Sequence, residues 1–216
     1  MGEMIGNIAH QWRQPLNAIV LIIQSFQMKR MAGLELSDEF IDKQVNEGIQ
    51  LASLMSRTID DFRNFFASDN KKERYCVNDA IRKSLELIEP ALKNHHIILE
   101  FHEEGEYEIE GYPGQFAQAI LNIISNAKDI LLERGIHAPK IEITLKYKEG
   151  KTLIQIADNG GGITLEPIEK IFEPYVSTKH AKSGTGIGLY MSKSIIEKNA
   201  NGVLSAYNSD IGAVFE

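Results

Sequence analysis

The sequence predicts an α+β chain: an antiparallel helical hairpin that dimerises into a four-helix bundle, followed by a mixed sheet covered by helices on one face. Three observations predict it. Apolar residues recur in steps of three and four through the first third of the chain. A polar, aperiodic stretch, Ser68 to Arg74, then interrupts the pattern. Beyond it, strand-like alternation and helical stretches interleave without regular βαβ units.

In the first helix the apolar stripe is Ile5, Ile8, Trp12, Leu16, Ile19, Ile23 and Phe26. Gly33 offers a C-terminal cap, Ser37 an N-cap for the next helix, and Asp38 and Glu39 suit its positive end. The second stripe runs Phe40, Val45, Ile49, Ala52, Met55, Ile59, Phe62, Phe66, with Met28 and Met31 read as gap-filling core near the turn. A lone hairpin has one buried seam and more apolar surface than one partner helix can cover. Pairing with a second copy is the economical solution. After the polar stretch, Asn78 is placed to cap a helix to about Leu92, and Ile97–Phe101 and Tyr107–Ile109 read as strands. Pro113 opens a helix to about Arg134. Ile141, Ile143, Leu145 and Tyr147 alternate and lead through Glu149-Gly150 to Leu153–Ala157, a β-hairpin. A helix from about Ile187 to Lys198 and strands at Val203–Ala206 and Ala213–Phe215 complete the reading. The strand-like pattern is unfinished at Glu216 and Met1 lies almost inside a helix, so a fragment of a longer protein is expected.

The 216 residues suit one or two domains at ~150 residues each. With 23 Lys+Arg against 30 Asp+Glu, net charge −7, the chain lacks the basic balance of a nucleic-acid binder, and none is expected as a partner. The single cysteine, Cys76, allows no internal disulfide and points to a reducing compartment. The longest apolar run, Ala18 to Ile23, is far short of the ~20 residues of a membrane helix, and no signal peptide is recognisable. The histidines outside the first helix show no metal-ligand spacing with Cys76, so no zinc site is expected.

Four segments can carry chemistry. Asp158-Asn159-Gly160-Gly161-Gly162-Ile163 ends an apolar strand in a carboxylate, which can accept from an exocyclic amine, and glycines let the backbone approach a flat ring. Gly184-Thr185-Gly186-Ile187-Gly188-Leu189 leads into an amphipathic helix whose N-terminal N–H groups suit phosphate, although it lacks the Lys-Ser/Thr ending of a P-loop. Asn122 and Asn126 are four apart on one helix face, with Leu121, Ile124 and Ile130 on the opposite side. Two neutral oxygens can help hold a magnesium ion that already carries phosphates. In His10-Gln11-Trp12-Arg13-Gln14-Pro15, Pro15 frees the carbonyl of Gln11. A bend is expected just after His10, which lies off the apolar stripe and faces solvent.

Together these segments, in this order, resemble the catalytic core of the sensor histidine kinases of two-component signalling. The His10 segment resembles the phosphoacceptor motif, Asn122–Ala127 the asparagine motif, and the two glycine segments the family's first and second glycine motifs. Phe172-Glu173-Pro174-Tyr175 with Ser177-Thr178-Lys179 resembles the phenylalanine motif, and Gly212–Phe215 the final glycine-containing strand. The resemblance implies a dimerisation and phosphoacceptor hairpin over 1–68, a linker over 69–74 and an ATP-binding α/β sandwich over 75–216. It implies ATP and Mg²⁺ as cofactors. Asp158, Gly160, Gly162 and Ile163 would line the base pocket, and Asn122 and Asn126 would hold the metal. Phe172 would anchor a lid over Thr164–Ser183, with Thr178 and Lys179 reaching the phosphates. Gly184, Thr185, Gly186, Ile187, Gly188 and Leu189 would serve the phosphates from the second glycine segment. His10 would be autophosphorylated and pass its phosphoryl group to an aspartate of a response-regulator receiver domain.

Two positions depart from the family. Gln11 stands where Glu or Asp commonly follows the histidine; an amide can orient the imidazole without taking its proton. Gln14 stands where Thr or Asn commonly positions water for receiver dephosphorylation, which leaves phosphatase activity a secondary expectation. The resemblance also implies a homodimer, an upstream sensor region outside this sequence, and a cytoplasmic segment whose parent could be anchored in a membrane. Two alternatives share the nucleotide sandwich. One is an ATPase of the gyrase and heat-shock chaperone type, which typically has Glu where Asn122 stands. The other is a pseudokinase that binds ATP as a dimeric scaffold, for which Gln11 is the support.

Overall fold

The computed structural model describes residues 2–67, 71–174, 176 and 186–216, with side chains in the helical pair described for residues 15–53, 55 and 56. The chain divides into two compact units, the first holding the helical pair to Phe62 and the second beginning at Arg63.

Two 30-residue helices, α1 (Gly2–Met31) and α2 (Asp38–Ala67), form the helical pair, and the last turn of α2 falls in the second unit. Gly33, with φ +65°, stops α1: its N–H donates to the Arg30 carbonyl and the Leu34 N–H reaches back to Lys29. Ser37 caps α2 as the sequence implies, its hydroxyl accepting from the Phe40 N–H at 3.3 Å. The helices meet near this turn through the edge-on Phe26–Phe40 pair, centroids 5.3 Å apart, and the Ser25–Gln44 hydrogen bond. The apolar stripes divide differently from expectation. The half-buried seam is Ala18, Ile19, Ile22, Ser25 and Phe26 against Phe40, Ile41, Gln44, Gly48, Leu51 and Met55. Leu16, Ile23, Val45, Ile49 and Ala52 are exposed. Met28 and Met31, read as core, are 70% and 81% exposed. The physical reason is width: these apolar sectors exceed one helix-to-helix contact, so a single stripe drawn through each helix merges two faces.

The second unit is built on a five-stranded mixed sheet, order β2-β4-β5-β7-β6. It comprises β2 (Ile98–Glu103), β4 (Lys140–Lys148), β5 (Lys151–Asp158), β6 (Ala206–Asn208) and β7 (Ala213–Phe215). Only the β2–β4 pair is parallel. Along β4 the alternation works as read: Ile141, Ile143 and Leu145 are fully buried, while Glu142, Thr144 and Lys146 are half-buried on the other face. Helices α3 (Val77–Asn94), α4 (Pro113–Glu133) and α5 (Gly188–Asn199) supply the covering layer, with Ile81, Ile124 and Ile195 in the core. Pro113 opens α4 at its first turn, where no N–H is missed.

Three local readings need correction. Glu73 and Arg74, counted in the linker, belong to β1 (Glu73–Cys76), which pairs antiparallel with β3 (Glu108–Gly111). Alternation fails there because ion pairs on exposed side chains, Arg74–Glu108 at 2.7 Å and Lys72–Glu110 at 3.2 Å, replace an apolar face. Asn78 does not cap α3; it lies inside the helix, wholly buried. Its amide donates to Glu103 and to the Gly105 carbonyl and accepts from the Tyr107 N–H, tying α3 to the β2–β3 turn. The sixth strand is Ala206–Asn208, not Val203–Ala206: Ser205 exchanges both backbone bonds with Glu216 at the end of the ladder, and Val203, beyond it, is exposed.

Candidate functional site

β5 delivers Asp158 to the edge of the glycine turn, where the side chain is only 8% exposed. Its Oδ1 accepts from the Gly160 N–H at 2.8 Å and from the Ala213 N–H at 3.4 Å. Burial raises the carboxyl above its ordinary value, opposed by those two backbone donors and by the Arg134 charge. The turn after it needs glycine for two different reasons. A Cβ on Gly160 would stand 2.9 Å from Asp158 Oδ1 and 3.0 Å from Ile130. Gly162 has φ +80° and its Cβ would meet Asn208 Oδ1 at 2.8 Å.

The turn is fastened from several sides. Asn208 accepts from the Ile163 N–H at 2.7 Å and donates to the Ile163 carbonyl at 2.9 Å. Asn159 accepts from the Lys140 N–H and donates to the Ala138 carbonyl, both at 2.8 Å. Arg134, at the end of α4, donates to the carbonyls of Gly160 and Gly162. Backbone packing is close where Gly212 lies against Asp158, and the Gly161 N–H donates to the Ile211 carbonyl. Sequence reading missed the roles of Arg134, Asn159 and Asn208. Each is a single polar residue whose partners lie on another element, so no spacing rule exposes them.

α4 presents Asn122 and Asn126, both half-buried, one turn apart. Ile124 faces the core as expected. Leu121 and Ile130, placed on the same side, are half-buried, and Ile120, Ile123 and Ala127 carry that packing instead. Asn122 Oδ1 accepts from Gln118 Nε2 at 3.1 Å, and its Nδ2 points to the Gly188 carbonyl at 3.5 Å. Gly188 begins α5, and a Cβ there would lie 3.9 Å from Asn122 Cγ. Ser192 donates to the carbonyls of Gly188 and Ala119 and locks α5 onto α4. The asparagine face and the start of α5, about 66 residues apart in sequence, therefore adjoin. Gly186 takes φ +64° just before the helix, Ile187 is buried, and Leu189 packs against the core.

Phe172 ends a 3-10 turn over Ile168–Phe172 and is buried, edge-on to Phe215 at 6.4 Å with Lys193 Nζ 4.7 Å from its ring. The side chains of His10, Gln11 and Gln14 lie outside the described residues, as do Thr178, Lys179, Gly184 and Thr185; α1 itself runs helical through Pro15. Among the described residues Glu100, His102 and Glu142 bring ligand atoms within 4.8 Å of one another. They are largely exposed, and Lys140 Nζ lies 2.9 Å from both carboxylates, offsetting part of their charge.

The chemistry of the site fits an adenine nucleotide. A buried carboxylate at a strand end is an acceptor, the glycines let the turn's backbone pass close beside it, and backbone donors stand at the start of α5. Asn122 and Asn126 offer two neutral amide oxygens, a set that fits Mg²⁺ only where phosphates complete its shell.

Residues 111–216 match the family described as histidine kinase-, DNA gyrase B-, and HSP90-like ATPase. Over its full length the chain resembles the catalytic core of sensor histidine kinases. It is 29% identical over 222 residues to the two-component sensor PprA of Pseudomonas aeruginosa, covering 100% of this chain and 24% of that protein. It is 29% identical over 219 residues to the sensor histidine kinase ZraS of Salmonella typhi, covering 100% of this chain and 44% of that one. The chain thus spans less than half the length of these relatives. The nucleotide-free catalytic domain of histidine kinase ThkA superposes with a TM-score of 0.59 at 29% identity, over 67% of this chain and 92% of that domain. ThkA in complex with the response regulator TrrA shares the fold, TM-score 0.61 at 23% identity, over 99% of this chain and 60% of that one. No helix among the described residues is long and apolar enough to cross a membrane.

Proposed function

We propose that the chain is a protein-histidine kinase core that phosphorylates its own His10 from ATP and passes the phosphoryl group to an aspartate of a receiver domain. The observation that carries this reading is the convergence, within one folded unit, of buried Asp158, the glycine turn and the Asn122–Gly188 junction. That combination supplies a base acceptor, a glycine turn and a polar face beside helix N–H groups. In this reading Asp158 accepts from the adenine amine and Gly160, Gly162 and Ile163 bound the base. Asn122 and Asn126 hold Mg²⁺, which when bound neutralises charge on the phosphates. The start of α5 directs N–H groups toward them. Phe172 anchors the segment that follows it, from which Thr178 and Lys179 reach the phosphates.

The transfer needs positioning more than a strong base. An imidazole with a reference pKa near ~6.5 is largely neutral at pH 7. Its lone pair forms the N–P bond as the bond from the γ-phosphorus to the ADP oxygen breaks, and its other nitrogen releases a proton. Gln11 can orient the ring. Asn122 cannot deprotonate water, which favours transfer to His10 over hydrolysis. The exposed faces of α1 and α2 pair with a second copy into a four-helix bundle. The relatives' naming as two-component sensors supports the receiver domain as acceptor.

Incubation with γ-labelled ATP tests the reading. Acid-labile label on the chain is expected, with complete loss in His10→Ala. Release of free phosphate without labelled protein would establish the ATPase instead, and nucleotide binding with neither would establish the scaffold.

A further inference from the structure

We infer that Arg134 is a positioning residue for the nucleotide pocket, its guanidinium tying the end of α4 to the carbonyls of the glycine turn and holding Gly160–Gly162 in the form that accepts the base. The inference rests on the nucleotide reading of that turn and adds a residue that none of the motifs contains.

The geometry is specific. α4 ends in a left-handed cap: Gly135 has φ +60°, its N–H donates to Leu132, and the Ile136 N–H donates to Leu131. Ile136 packs against the core, so the backbone on both sides of Arg134 is fixed. From there Nη1 donates to the Gly160 carbonyl and, at 3.0 Å, to the Gly162 carbonyl. One nitrogen thus bridges two carbonyls across Gly161, which has φ +83° and whose Cβ would lie 3.1 Å from it. The other fastenings of the turn act elsewhere: Ile211 holds the Gly161 N–H, Asp158 the Gly160 N–H, and Asn208 the Ile163 peptide groups. Arg134 serves the carbonyl side. Glycines are the residues that lose most conformational freedom on ordering, so a three-glycine turn left unfastened would have to be ordered by the nucleotide itself. The guanidinium also places a positive charge by Asp158, favouring the ionised acceptor that burial opposes.

Two measurements on Arg134→Gln and Arg134→Lys in the full 216-residue chain test this. In the nucleotide-free protein, amide hydrogen exchange over Gly160–Ile163 should quicken about tenfold in Arg134→Gln. The ATP concentration giving half-maximal labelling of His10 should rise about fivefold to tenfold, with the saturated rate within about twofold of wild type. Arg134→Lys, a single flexible donor that keeps the charge, should lie between the two. Unchanged exchange and unchanged ATP dependence overturn the inference. So does a fall in saturated rate at constant half-saturation, which marks general damage. If Arg134→Gln does not fold, Arg134→Lys must show the same shifts at smaller size. If the wild-type chain fails to bind ATP, the nucleotide reading falls, and the exchange result still decides whether Arg134 fastens the turn.

Discussion

Ile143 on β4 and Ile23 on α1 are the same side chain in opposite circumstances. The first is wholly buried between sheet and helices; the second is 61% exposed. The contrast runs through both units. The α/β unit closes a core of its own around Ile81, Ile124, Ile143 and Leu145, whereas no residue of the helical pair whose side chain is described is buried. Burial of apolar surface is what offsets the entropy of ordering a chain. The α/β unit therefore carries a core of its own, whereas the described part of the helical pair leaves apolar side chains such as Ile23 and Ile49 exposed.

Breaking each unit at its own weak point sharpens that difference. Ile143→Ala removes buried volume and should cost about 2–5 kcal/mol, lowering the α/β melting transition by the same amount at every protein concentration. A concentration-dependent loss would show that the sheet, too, relies on association. On the helical pair, Ile23→Glu with Ile49→Glu places charges on the exposed stripe without entering the seam between α1 and α2. Dimers should weaken about a hundredfold or more by sedimentation equilibrium, while the α/β melt stays in place. Unaltered self-association would mean that the stripe is covered by something other than a second copy.

The same distinction decides what the sequence discloses. β4 was readable because one face is buried and the other is not, so a period of two is imposed on its side chains. The Glu149-Gly150 turn also carries positive φ at both residues. Helix ends were readable where one residue has one job: Ser37 as cap, Gly33 as stop, Pro113 as start. The α1 and α2 faces were blurred because two apolar surfaces share each helix. Strand β1 was hidden because it is four residues long, Arg74 makes an ion pair, and Tyr75 is its one large apolar side chain that packs on the core. In the site, Asp158 and the asparagine face were legible as local patterns. The adjoining of Asn122 and Gly188, and the fastenings by Arg134, Asn159 and Asn208, are products of tertiary packing and have no local signature.

Asp158 sharpens the comparison most finely, because burying its carboxyl sets stability against the ionised form. Its pKa in the fold is raised by burial above the ordinary 3.8. The folded chain then binds more protons than the unfolded one between 3.8 and the raised value, so stability is full below that window and declines as pH rises through it. At neutral pH the ionised carboxylate is a net cost to the fold. Asp158→Asn keeps an oxygen that can accept from the Gly160 and Ala213 N–H groups and removes the charge. Its melting temperature should exceed that of the wild type at pH 7, and the gap should shrink as pH falls toward 3.8. Affinity for ATP should move the other way, falling about tenfold or more in calorimetry, because a charge-assisted acceptor for the base has become a neutral one. A variant that loses both stability and affinity would identify Asp158 as a structural carboxylate, and one that loses neither would place the base elsewhere.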